Sequence, residues 1–123
     1  MKSNKQLTTE YKQLKFPMGV FVIRNTANGK VFLDSGLNMP ALWNRHRFQL
    51  DLGNHPNSDL QADWKQWGES AFRFEVVSEL KPREEAGVDY RAELKTLEEL
   101  CFEELKPWGE CGYHAENPNK KLS

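Results

Sequence analysis

Glu98 is the residue in this chain whose setting most demands chemistry. It shares a helical face with Leu94, Cys101 and Leu105, so the 3.6-residue period points it inward. Glu99 shares its face with Lys95, Glu103 and Lys106 and reads as solvated. A carboxylate buried alone is costly, so Glu98 needs a metal ion, a histidine or an arginine beside it. His46 falls on a second inward stripe, with Met39, Leu42, Trp43 and Leu50. Arg24, Lys30, Arg45 and Arg47 could face phosphate groups together, with Trp43, Trp64 and Trp67 adding base stacking. The competing reading of those residues is a solvated charged face above a tryptophan-rich core. Cys101, Cys111 and His114 match no zinc-finger spacing, and Cys101 reads as a small core residue.

The elements that must position these groups follow from periodicity and punctuation. Met18 to Arg24 alternates as a strand, with Val20, Val22 and Arg24 on one face and Gly19, Phe21 and Ile23 on the other. Asn28-Gly29 signals a turn, and Val31 to Ser35 returns as a second strand, bringing Phe21 and Phe32 side by side. Asn38 caps a helix that runs to about Leu52 and stops at Gly53. Ser58 with Gln61 reads as a capping box opening a short helix through Trp67, with Leu60, Trp64 and Trp67 inward. Phe72, Phe74 and Val76 alternate with Arg73, Glu75 and Val77 as a third strand. A charged connector from Lys81 to Val88 leads to a long helix capped by Asp89 and ending near Leu105. This order predicts an α/β (α+β) fold, a small three-stranded antiparallel sheet flanked by helices. The expected organisation is a polar N-terminal helix or tail over 1–15, one domain over 16–113 and a polar tail over 114–123.

Gly19-Val20-Phe21, followed after ten residues by Phe32-Leu33-Asp34, resembles the paired tripeptides of the GIY-YIG nuclease superfamily. The likeness continues through Arg24–Val31, Trp43–Arg47, His55–Asn57, Leu60–Trp64, Phe72–Val76 and Leu97–Leu100, so it covers most of the chain. It implies metal-dependent hydrolysis of a DNA phosphodiester, with magnesium or manganese bound through Glu98 and His46 retained for proton transfer. The chain departs from the pattern at several positions. Phe21 and Phe32 stand where tyrosines are expected, Asp34 where a glycine is, Leu42 where an arginine is, and His114 where an asparagine often is. The resemblance is therefore to a degenerate member of the superfamily. It also implies that His46, Glu98 and His114 approach one pocket, where they could bind zinc or another transition metal; a simple histidine–carboxylate hydrogen bond is the alternative.

Composition narrows the function further. The charged fraction is 28% and the mean hydropathy −0.76, and no apolar run approaches the ~18 residues of a membrane span. Two cysteines make no disulfide framework, so a reducing, bacterial-type cytoplasm is the expected location. Residues 1–60 carry eight Lys/Arg against four Asp/Glu, while residues 61–123 carry nine against fourteen. Only one face can be basic, which is less than a duplex-binding protein usually shows. The leading expectation is a catalytically impaired, nuclease-like domain that binds DNA or RNA. An endonuclease with an altered site and a protein-interaction domain that kept only the fold are the alternatives; the oligomeric state stays open.

Overall fold

The computed structural model describes residues 17–82 and 87–115. The expected N-terminal segment, part of the charged connector and most of the C-terminal tail lie outside those residues. The described chain runs β1 (Met18–Asn25), β2 (Val31–Gly36), α1 (Met39–Leu52), α2 (Ser58–Trp67), β3 (Phe72–Leu80) and α3 (Tyr90–Leu105). The three strands form one antiparallel sheet, as expected, and its strand order is β2-β1-β3.

Strand alternation divides the core in two. Phe21 and Ile23 meet Met39 and Leu50 of α1, Leu60 and Trp64 of α2, Phe72 and Tyr113. Val20 and Val22 face the other way, onto Val31, Leu33 and Cys101, with Leu97, Phe102 and Leu105 packed against them. Helix α1 is capped by the Asn38 side chain, which accepts from the Ala41 amide, and α3 by Asp89, which accepts from Ala92. The second helix departs from expectation. Asn57, not Ser58, is its cap, and Gln61 turns inward instead, accepting from the His55 amide and donating to the Leu50 carbonyl.

Two further expectations change. The turn is longer than Asn28-Gly29 alone: the Asn25 and Lys30 backbones pair, and their pairing sets the register. Phe21 then lies opposite Asp34 and Phe32 opposite Ile23, so the two phenylalanines are diagonal neighbours on one face. Trp67 is 39% exposed rather than inward, because it is the last residue of α2.

Gly19 is the glycine that the sheet requires. Its φ is +154°, and a Cβ there would come within 2.2 Å of the Ser78 carbonyl oxygen on β3. Gly29 also has a positive φ, +81°, but open space around it. Gly19→Ala is therefore expected to destabilise the fold by more than the ~1–3 kcal/mol of a strained backbone alone, and Gly29→Ala by only about 1–2 kcal/mol. Thermal melts of the two variants compare them, and equal melting temperatures would show that β3 moves aside freely. Among the described residues, no helix is long and apolar enough to cross a membrane.

Candidate functional site

Strand β2 sits at a sheet edge with α1 over one face and α3 over the other, and its last residues distribute polar groups to both. Asp34 points towards α1, where its Oδ2 meets His46 Nε2 at 2.8 Å. Ser35 points towards α3, where its side chain hydrogen-bonds Glu98. Glu98 is half-buried, as is its neighbour Glu99. Burial raises the Glu98 pKa, and the nearby Asp34 and Glu99 charges raise it further, against the Ser35 hydrogen bond.

His46 and His55, both buried, belong to a hydrogen-bonded line whose tautomers can be deduced. His55 Nδ1 accepts from the Asn57 amide at 3.0 Å, so in a neutral ring the proton is on Nε2. That proton is donated to His46 Nδ1 at 2.9 Å, which leaves the His46 proton on Nε2, facing the Asp34 carboxylate. Both nitrogens of His46 are thus engaged. Burial, with His46 adding to it, pushes the His55 pKa down to about 4. His114 accepts the Leu33 amide on Nε2 at 2.7 Å, covering the free edge of β2, and burial pushes its pKa down to about 4 as well. Phe32 joins the three imidazoles: its ring lies edge-on to His46 and His55 and stacks on His114.

The four basic residues singled out in the sequence do not form one surface. Arg24 pairs with Glu75 at 3.0 Å, across the strands. Arg47 is held by Glu69 and Asn44 above the Trp43 ring. Lys30 lies over the Tyr113 ring, at 5.7 Å from its centre. Arg45 alone lines a groove beside Leu42, and the cation that joins it there is Arg91, at the start of α3. Trp43 stacks on Phe74, and the buried Trp64 packs against Phe72. Asp34, His55 and Arg91 are the site residues that the sequence reading did not assign a role. Strand alternation carried a signal for Asp34, two residues from Phe32 on the same face; nothing local marked the other two.

Similarity to solved structures agrees with this layout. The catalytic domain of the homing endonuclease I-TevI matches 78% of this chain and 95% of its own length, with a TM-score of 0.63 and 25% identity. A mutant catalytic domain of the intron endonuclease I-TevI matches 83% and 96%, with a TM-score of 0.68 and 22% identity. This is a GIY-YIG-like domain. No protein-family model and no curated protein matches the chain.

In a GIY-YIG-like domain the altered positions gain physical meaning. Phe21 is fully buried in the core, and Leu42 lies over Gly36, where a Cβ would meet its Cδ1 at 2.3 Å. Glu98 is half-buried, and burial is the first cause of its raised pKa, with the Asp34 and Glu99 charges adding to it. The imidazoles fit a divalent ion poorly, because His114 spends its Nε2 on Leu33 and His46 spends both nitrogens. Among the described residues, no three His, Cys, Asp or Glu side chains converge as a metal-binding group.

Proposed function

We propose that this chain is a nucleic-acid-binding domain of GIY-YIG-like fold in which phosphodiester cleavage is impaired. The observation that carries the reading is the state of His46. It is the one proton-transfer residue retained from the family pattern, and its two nitrogens are committed to His55 and Asp34. Around it, Phe21 and Phe32 carry no hydroxyl and Leu42 carries no guanidinium. Losing one general acid–base group costs ~10²–10⁴ in rate, and losing one positioned donor roughly 10²–10³. Such losses do not simply multiply, but together they leave little beyond the effect of a bound ion. Glu98 would hold that ion, magnesium or manganese, which when bound supplies Lewis-acid stabilisation of charge at a phosphate. The unpaired Cys101 and Cys111 suit a reducing compartment, the cytoplasm.

One observation favours the second reading, an endonuclease with an altered site. Asp34 stands opposite Phe21 in the strand register, so a carboxylate adjoins the place of a missing tyrosine. A single set of assays separates the two readings, using single- and double-stranded DNA with magnesium or manganese and wild type beside Glu98→Ala. The expected result is no cleavage by either protein, with binding that weakens as salt rises. In metal-free buffer Glu98→Ala should bind at least as tightly as wild type, since one negative charge is gone. Wild-type cleavage that disappears in Glu98→Ala would establish the endonuclease instead.

A further inference from the structure

We propose that the groove between α1, the end of β2 and the start of α3 binds the phosphodiester backbone of a nucleic-acid strand, with Arg45 and Arg91 as its phosphate ligands. The inference rests on the nucleic-acid reading above and names its surface.

Three observations carry it. First, Arg45 and Arg91 line the same groove from opposite helices, and neither has a hydrogen bond or ion pair among the described residues. Arg24, Lys30 and Arg47 are all engaged with protein groups. Two unpaired guanidinium groups on one groove repel each other, and an anion between them removes that cost. Arginine suits phosphate in particular, because its planar fork can give two parallel hydrogen bonds to one group.

Second, the groove has the size and lining of a nucleotide site rather than an ion site. Its volume is about 450 Å³, within the ~300–1,000 Å³ typical of ligand pockets. Leu37, Ala41 and Leu42 give it an apolar lining against which a sugar or base can lie, and Ser35 and Asn38 also line it. Third, geometry links it to the altered family position. Arg45 is one helical turn on from Leu42, where the family pattern has an arginine, so α1 presents a cation beside that position. Glu98 stands two turns along α3 from Arg91 and outside the groove lining, whose only charged side chains among the described residues are the two arginines.

Fluorescence anisotropy tests the proposal, with labelled single-stranded and duplex oligonucleotides in metal-free buffer over a range of salt. The proteins compared are wild type, Arg45→Ala/Arg91→Ala, Arg45→Lys/Arg91→Lys and Arg24→Ala/Lys30→Ala. Arg45 and Arg91 are exposed, so their removal should leave the melting temperature unchanged. The Arg45→Ala/Arg91→Ala protein should bind at least about tenfold more weakly at low salt. Its log–log salt dependence on duplex should be shallower by about 2. The lysine pair should recover most of the affinity, and Arg24→Ala/Lys30→Ala should bind within about twofold of wild type. Full binding by Arg45→Ala/Arg91→Ala would overturn the groove while leaving the nucleic-acid reading intact. Absence of wild-type binding at the lowest salt would overturn both. Equal competition by a polyglutamate peptide would overturn the assignment to phosphodiesters and point to an acidic protein partner.

Discussion

Phe21→Ala is expected to cost about 3–5 kcal/mol of folding stability, the usual range for emptying a buried aromatic site. A domain of this kind holds only ~5–15 kcal/mol in total, so the variant should be close to unfolding. The ring is fully buried on the central strand and lies 5.1 Å from the Phe74 ring, among Ile23, Met39, Leu50, Leu60 and Trp64. Those neighbours come from four elements, which cannot all close on the cavity without shifting the sheet against both helices. Urea denaturation of the two proteins measures the difference. A loss below about 1 kcal/mol would show that the ring contributes little packing, and that this position still faces a working groove. The prediction bears on function because a tyrosine is expected at this position in the family pattern. A core aromatic with no hydroxyl serves packing, whereas a nuclease needs a polar group that substrate can reach.

Acidification should unfold this protein between about pH 6.5 and pH 4, ahead of general carboxylate protonation. His55 and His114 have folded-state pKa values near 4, well below the ordinary 6.5. The unfolded chain therefore takes up protons on these rings as pH falls below about 6.5, while the folded chain resists until near 4. Stability that is fully present above 6.5 is lost across that window. For His55 alone the loss amounts to about 3 kcal/mol. The physical cause is visible in the bonds. A proton added to His55 Nδ1 would face the Asn57 amide, and one added to His114 Nε2 would face the Leu33 amide. Glu98 works in the opposite sense: its raised pKa means that acid relieves a buried charge and offsets part of the loss. Denaturation midpoints at about pH 7 and about pH 5 should differ clearly, and a His55→Gln/His114→Gln protein should show a flatter dependence. Equal wild-type midpoints at the two pH values would mean that both rings take up protons without disturbing the fold.

The linear order of residues was enough to place six elements, the inward faces of α1 and α3, and the caps Asn38 and Asp89. Each of these is a local property, set by a period of two or 3.6 and by the backbone groups at a helix end. The same logic turned His46 and Glu98 inward before any contact was known. What these groups touch was a different matter. Asp34 meets His46 because the Asn25–Lys30 turn sets a register in which Asp34, not Phe32, lies opposite Phe21. His55 reaches His46 only because the chain doubles back between α1 and α2, and Asn57 then decides which nitrogen carries the proton. Arg91 becomes the partner of Arg45 only when α3 closes over the edge of β2, more than forty residues along the chain. Periodicity reports which side of an element is buried, since burial repeats with the backbone. It carries no record of which distant side chains will share that space, because register, loop path and helix placement are settled by packing the whole chain at once.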